Sequence, residues 1–170
     1  MYYDVISMKK SSSIWEFGKK LGFDQIIFKE DFDELNVVVG KDDLFNRKSI
    51  EKKIDVLLDP HVFSAKDHLH FRRGGLNQVS CKLAYKNKVI IAFSLDKLKD
   101  PCLMGRAMQD IRLCKKYHVN VAIFTLAKNK YSMRAMEDMK SLCRVLGMDG
   151  KEAKNAIGCI NIKFINEKKG

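Results

Sequence analysis

Short apolar runs rich in β-branched residues recur along the chain and predict its strands. They occupy residues 5–6, 25–28, 35–39, 54–58, 89–93, 119–124 and 160–165. Most are continuous rather than alternating, which is typical of strands covered on both faces, as in a parallel sheet. Residues 29–34 form an unusually short link, because a parallel crossover usually takes about a dozen residues. The pattern predicts about seven strands, and this link is either a very short crossover or follows a misassigned strand.

Helices between these runs have recognisable ends. Ser13 and Glu16 have the spacing of a capping box at the start of the first helix. Pro101 stands at a favoured first helical position and predicts a long helix that ends near residue 118. Asp149 and Glu152 predict a second capping box before a short helix close to the carboxyl end. Strand and helix therefore alternate cleanly in the second half of the chain.

This alternation favours one α/β domain over residues 1–170. We expect a small incomplete (β/α) TIM-like barrel with about seven parallel strands. An open doubly wound sheet would produce nearly the same pattern, so that architecture stays open.

Composition restricts the function classes. No apolar run approaches the length of about 18 residues that a membrane span needs, and the first residues lack a signal-peptide layout. The five cysteines are too widely spaced for a metal or redox pair, which predicts reduced, mostly buried thiols in a cytoplasmic protein. We expect no membrane partner.

The net charge of +11 favours a polyanionic partner, although a basic surface also serves solubility. The cations fall on successive helices. The long helix places Arg106, Arg112 and Lys116 in one arc of about 120°. The remaining basic candidates for contact with RNA flank the preceding helix or follow the run at 119–124: Arg72, Arg73, Lys82, Lys86, Lys128, Lys130 and Arg134. We expect these side chains to form one continuous basic strip.

Catalytic chemistry has weaker support in the sequence. His68 and His70 would share one face of a strand and could hold a metal, with Asp59 and His61 after the run at 54–58. A stand-alone metal-dependent phosphoesterase or nuclease is therefore the alternative function. No glycine-rich phosphate cradle is present, which disfavours a nucleotide-driven machine. We expect no catalytic residue and no metal ligand in the chain.

Two stretches resemble the ribonuclease P protein component 3 family of archaea and eukaryotes. They are RGGLNQVSCKLAYKNKVIIAFSL and RAMQDIRLCKKYHVNVAIFTLAKNKYSMRAMEDMKSLCRVLGMDGKEA, preceded by IDVLLDP. The resemblance covers about residues 54–165 well and the first 50 only in layout. It implies a barrel akin to the PHP-type phosphoesterases that lacks their complete ligand set.

The resemblance also implies a role. In that family the protein assists a catalytic RNA, which removes the 5′ leader of precursor tRNA with Mg²⁺ bound through the RNA, so the chain itself needs no cofactor. The implied partners are the ribonuclease P RNA, ribonuclease P protein component 2 and, indirectly, precursor tRNA. The basic family positions map onto Arg73, Lys82, Arg106, Arg112 and Arg134.

Overall fold

Six parallel strands and seven helices form the part of the chain that the computed structural model describes, which is residues 1–63 and 74–160. The strands are β1 (Tyr3–Ile6), β2 (Gln25–Phe28), β3 (Val37–Val39), β4 (Val56–Leu58), β5 (Ile90–Ser94) and β6 (Val121–Phe124). The helices are α1 (Ser12–Lys20), α2 (Lys29–Phe32), α3 (Asp43–Glu51), α4 (Gln78–Asn87), α5 (Pro101–Lys116), α6 (Met136–Val145) and α7 (Gly150–Gly158).

The strands lie side by side in one order. Parallel pairing joins β1 to β2 and joins β3, β4, β5 and β6 in sequence. Beyond β6, the amide of Leu126 donates to the carbonyl of Val5 at 2.9 Å, which brings β1 beside β6. The described array therefore runs β2, β1, β6, β5, β4, β3. The predicted parallel α/β alternation is confirmed, whereas closure into a barrel stays a prediction.

The strands other than β3 are covered on both faces, as their continuous apolar sequences predict, whereas β3 stays partly exposed. One buried cluster takes alternate strand residues, including Val5, Ile27, Leu58, Ala92 and Phe124. The other takes the intervening residues and packs them against helices, including Ile6, Ile26, Leu57, Phe93 and Ile123. Because side chains alternate along a strand, one run of apolar residues supplies both layers.

The short link at 29–34 contains the one-turn helix α2. Because β2 and β3 both form, the link is a very short crossover rather than the sign of a misassigned strand. β2 and β3 are the outer strands of the described array and are not paired with each other there. The predicted seventh strand, at 160–165, lies almost entirely outside the described residues.

The helix ends test the capping predictions. The box at Asp149 and Glu152 is confirmed, since the Asp149 side chain accepts from the Glu152 amide and the Glu152 carboxylate accepts from the Asp149 amide. Pro101 begins α5, also as predicted. The box at Ser13 and Glu16 is wrong, because the N-cap of α1 is Ser11, two residues earlier, and it makes no side-chain hydrogen bond.

Two predictions made from composition concern the cysteines and membrane-spanning segments. All five cysteines are free thiols, and all but Cys102 are buried, which confirms the predicted burial of most of them. Among the described residues, no helix is both long and apolar enough to cross a membrane.

A polar junction joins the end of β4 to the start of α4. The side-chain amide of Asn46, on α3, donates to the carbonyl oxygens of Pro60 at 3.0 Å and Gly75 at 2.9 Å. The two backbones are so close that a Cβ atom on residue 75 would lie 1.8 Å from the Pro60 oxygen. The chain therefore leaves this junction after Pro60 and returns to it at Gly75.

A buried carboxyl group packs against the same junction. Asp110, on α5, accepts a hydrogen bond from the Gly75 amide at 3.1 Å. Burial raises its pKa to about 8, and the nearby Asp43 carboxylate acts in the same direction. The protonated carboxyl is thus favoured in the folded chain, so the free energy of unfolding falls as pH rises from about 4 towards 8.

We expect Asp110→Asn to flatten this pH dependence, because the amide cannot ionise. Urea unfolding at pH 5 and pH 8 measures it, and the variant should gain more than about 1 kcal/mol on the wild type between the two values. The exposed Asp138→Asn substitution serves as control. Parallel pH profiles for Asp110→Asn and the wild type would contradict the assignment.

Candidate nucleic-acid interface

Two neighbouring helices present the first group of predicted cations. Asn77 starts α4, where its side chain accepts from the amides of Val79 and Ser80. Asp100 caps α5 in the same way and Pro101 fixes its first turn. The buried residues of each helix, such as Cys81 and Cys114, face the core, so the polar positions between them point outward.

The cations of the two helices converge on one aromatic ring. The ammonium groups of Lys82 on α4 and Lys116 on α5 each lie 5.8 Å from the centroid of the Tyr117 ring. The Tyr117 hydroxyl donates to the Gln78 side chain at 3.3 Å, which links the two helices. Arg112 is exposed one turn before Lys116, and Lys86 is exposed one turn after Lys82.

These four cations form the α4–α5 basic patch, which consists of Lys82, Lys86, Arg112 and Lys116. None of them is in an ion pair with a carboxylate among the residues that the structure describes. By contrast, the next residue in sequence, Lys115, pairs with Glu152 at 2.8 Å. The patch thus carries four positive charges that are free to meet an external anion.

Arg106 is buried, unlike the other cations predicted on α5. Its side chain is 4% exposed, its guanidinium lies 4.7 Å from the centroid of the Phe63 ring, and it donates to the Phe63 carbonyl oxygen at 3.2 Å. The chain that follows β4 packs over the first half of α5 on this side. The polar arc of the helix is therefore buried there, at Arg106. The prediction that Arg106 lies on an exposed arc is wrong, and Arg106 is no part of the patch.

The second group of predicted cations follows β6. Lys128 and Lys130 are exposed in the segment before α6, and Lys130 lies 6.0 Å from the Phe17 ring centroid. Arg134 is exposed too, but one of its nitrogens donates to the carbonyl oxygens of Tyr131 at 2.9 Å and Met133 at 2.8 Å. Arg134 therefore helps to fix the backbone of its own loop.

The expected single strip is thus two separate groups. Since α5 ends just before β6 begins, Lys116 lies at the amino edge of the sheet, whereas Lys128 and Lys130 lie beyond its carboxyl edge. Arg72 and Arg73 lie outside the described residues. Contact with RNA stays a prediction for every one of these side chains.

At the carboxyl edge of the strands, two aspartate side chains accept hydrogen bonds from a serine and a threonine. Asp59, after β4, accepts from the Ser94 amide at 2.7 Å and the Ser94 hydroxyl at 2.6 Å. Asp4, on β1, accepts from the amide and hydroxyl of Thr125 at 2.8 and 2.6 Å. Burial raises the pKa of Asp59 and raises that of Asp4 to about 7. Both carboxylates thus brace neighbouring strands.

The metal-binding alternative finds little support in this geometry. His61 is completely buried against Phe93, and burial together with the charges of Arg106 and Lys97 lowers its pKa to about 4. His68 and His70 lie outside the described residues. Within residues 1–63 and 74–160, no group of three His, Cys, Asp or Glu side chains could hold a metal ion.

Sequence reasoning missed a pocket at this edge. It has a volume of about 290 Å³, and its lining includes Ser7, Asp59, Lys97, Lys99, Lys128 and Ser132. The signal was present, because Lys97 and Lys99 directly follow β5 while Lys128 follows β6, and the carboxyl ends of adjacent parallel strands meet. Tyr131, the most exposed of the large hydrophobic side chains described, was also missed.

The fold and these surfaces define a parallel α/β protein with two basic surfaces. Several similar curated proteins are named ribonuclease P protein component 3. The protein from Methanosarcina acetivorans is 30% identical over 145 residues, which is 81% of this chain and 57% of the relative. The one from Thermococcus kodakarensis is 32% identical over 126 residues, 71% of this chain and 54% of the relative.

The protein from Methanococcoides burtonii is 29% identical over 143 residues, covering 78% of this chain and 54% of the relative. No family model matches the sequence. The chain belongs to the ribonuclease P protein component 3 family. It spans about half the length of the curated relatives it matches.

Solved structures share the fold. A chain in a cryo-EM structure of archaeal ribonuclease P with mature tRNA aligns with a TM-score of 0.56 and 21% identity, covering 91% of this chain and 64% of that one. A crystal structure of an uncharacterized protein aligns with a TM-score of 0.55 and 8% identity, over 81% of this chain and 35% of that one. At such low identities the likeness extends to the fold alone.

Proposed function

We propose that this chain is a noncatalytic protein subunit of ribonuclease P that binds the catalytic RNA and holds it in an active form. The RNA, with Mg²⁺, removes the 5′ leader of precursor tRNA. Protein component 2 acts beside the chain, and precursor tRNA meets it only indirectly, in the cytoplasm. The relatives' shared name supports the assembly, and the solved structure that shares the fold contains a tRNA.

The observation that carries this proposal is the convergence of Lys82 and Lys116 on Tyr117, with no carboxylate partner in the part of the chain that the structure describes. Two exposed like charges beside one ring repel each other, and an anion that approaches both is attracted by both. A phosphate backbone supplies such anions at regular spacing, and each neutralised phosphate releases condensed counterions. Lys86 and Arg112 extend the patch along the same two helices.

A salt titration tests the proposal. The affinity of the purified chain for ribonuclease P RNA should fall linearly with the logarithm of salt concentration, with a slope of about −0.7 to −0.9 for each phosphate contacted. Lys116→Ala should reduce that slope by about one, because it removes one contact. Lys154→Ala, on the exposed side of α7, provides a matched loss of charge and should leave the slope unchanged.

Two results would contradict the proposal. A titration independent of salt would mean that the positive charge serves solubility alone. Cleavage of precursor tRNA by the chain without RNA, in the presence of Mn²⁺ or Zn²⁺, would favour the phosphoesterase instead.

A further inference from the structure

The pocket at the carboxyl edge of β5 and β6 is lined by three lysine ammonium groups that are separate from the α4–α5 basic patch. Lys97 and Lys99 approach from the loop after β5, and Lys128 approaches from the loop after β6. All three charges lower the pKa of Asp96, which accepts a hydrogen bond from Lys99 at 3.0 Å. Two carboxylates, Asp59 and Asp96, line the pocket beside the three ammonium groups, so one net positive charge remains. Lys99 pairs with Asp96, whereas Lys97 and Lys128 are in no carboxylate ion pair within the described part of the chain.

The Asp59 carboxylate in this pocket already has its hydrogen-bond partners. Both oxygens of Asp59 are occupied by Ser94, so this carboxylate is directed towards β5 rather than towards the opening. Burial raises the pKa of Asp59, while its hydrogen bonds with Ser94 and the charge of Lys97 act in the opposite direction. Ser7 adds a hydroxyl group to the wall, whereas the Ser132 hydroxyl already donates to the Asn129 side chain at 2.9 Å. The pocket therefore offers ammonium and hydroxyl donors, a combination that suits a phosphate group.

An unusually exposed aromatic side chain stands beside the pocket. Tyr131 is 93% exposed and directly precedes Ser132, which lines the pocket. Its backbone is nevertheless fixed. Asn129 accepts from both the amide and the hydroxyl of Ser132 at 2.9 Å, and Arg134 donates to the Tyr131 carbonyl. The ring itself is exposed on all sides, so it contributes nothing to the core and offers a flat surface to a ligand.

We propose that the pocket and Tyr131 together bind one unpaired nucleotide of an RNA, with its phosphate among Lys97, Lys99 and Lys128 and its base stacked on the Tyr131 ring. This inference rests on the proposed function and gives it a second contact that is specific for unpaired RNA. Lysine clusters beside exposed aromatic rings are typical of single-strand binding, whereas lysine is depleted from protein–protein interfaces. A continuous duplex keeps its bases stacked and cannot use the ring.

Fluorescence anisotropy with the full chain and two labelled probes tests this. The probes are an oligouridylate of about 12 nucleotides and a blunt RNA duplex of similar length. Tyr131→Ala should weaken binding of the oligouridylate roughly 10-fold, because stacking on one base is lost, and should change duplex binding less than about twofold. Tyr131→Phe keeps the ring and should bind both probes like the wild type. Lys97→Ala combined with Lys128→Ala should flatten the salt dependence of oligouridylate binding by about one to two units of slope.

The outcomes separate this inference from the proposed function. If the wild type binds ribonuclease P RNA while Tyr131→Ala binds the oligouridylate normally, the nucleotide site is wrong and the subunit role stands. Equal losses for oligouridylate and duplex would also overturn the site, since stacking discriminates between them. If Tyr131→Ala instead weakens only the association with protein component 2, the exposed ring belongs to a protein interface. Failure of the wild type to bind ribonuclease P RNA overturns the proposed function itself.

Discussion

Replacing Lys82, Arg112 and Lys116 together by alanine is expected to weaken binding to ribonuclease P RNA roughly 100-fold at about 0.15 M salt. Each lost phosphate contact removes about 0.9 from the slope of log affinity against log salt, so three remove about 2.7. If the variant and the wild type bind equally at about 1 M salt, that difference in slope makes the variant roughly 100-fold weaker at about 0.15 M. The three side chains are exposed and lack carboxylate partners among the described residues, so their removal leaves no unpaired charge behind.

The control for this variant removes the same charge elsewhere. Lys48, Lys151 and Lys154 are exposed on α3 and α7, and their joint replacement by alanine lowers the net charge equally. Gel-shift or anisotropy titrations at several salt concentrations compare the two triple variants. If both lose affinity to the same extent, the net charge attracts RNA without a defined surface, and the α4–α5 basic patch is not the interface.

Gly75→Ala is expected to lower the free energy of unfolding by about 3 kcal/mol or more, near the upper end for overpacked sites. A Cβ there would lie 1.8 Å from the Pro60 carbonyl oxygen and 2.9 Å from the Asn46 side chain. Because the nearest atom belongs to the backbone, relief requires the junction itself to open. Opening it would break the two hydrogen bonds that Asn46 donates across it.

Gly150→Ala is the matched comparison, since the nearest atom to its added Cβ is a flexible Arg144 nitrogen at 3.6 Å. At the first position of α7, alanine should be neutral or slightly stabilising. Denaturant unfolding of both variants measures the difference. Equal stabilities would mean that residues 60 and 75 are farther apart in solution than the structure places them.

The strands could be predicted because each one is a short, continuous apolar run, and five of the seven predicted runs contain an observed strand of three to five residues at nearly the same position. The run at 5–6 is the end of β1, whose earlier residues Tyr3 and Asp4 look polar in sequence. Asp4 is nonetheless completely buried, because Thr125 supplies two hydrogen bonds from 121 residues away along the chain. Local patterns carry no information about such a partner.

The basic side chains also fall into those that the local sequence pattern places correctly and one that it does not. Helical periodicity correctly placed Arg112 and Lys116 at the surface, because neighbouring turns of α5 expose the same side there. It failed for Arg106, since the chain after β4 covers that part of α5 and Phe63 meets the guanidinium. Periodicity describes one helix in isolation, and burial at its ends depends on segments that pack over it later.

The pocket was missed for a related reason. Lys97 and Lys99 stand about 30 residues before Lys128 in sequence and come together only because β5 and β6 are neighbours with their carboxyl ends aligned. A reading that had joined adjacent strand ends, and not only successive helix faces, would have brought these three lysines together. Tyr131 gives no periodic signal, because it lies in a single 3-10 turn, Lys130–Ser132.

Reconstitution tests the subunit role most directly. Ribonuclease P RNA and protein component 2 are incubated with precursor tRNA at low Mg²⁺, with the wild-type chain, with the Lys82, Arg112 and Lys116 triple variant, or with neither. We expect release of the 5′ leader to rise when the wild-type chain is added and to stay near the background with the triple variant. Leader release that is equally fast in all three reactions would contradict the account.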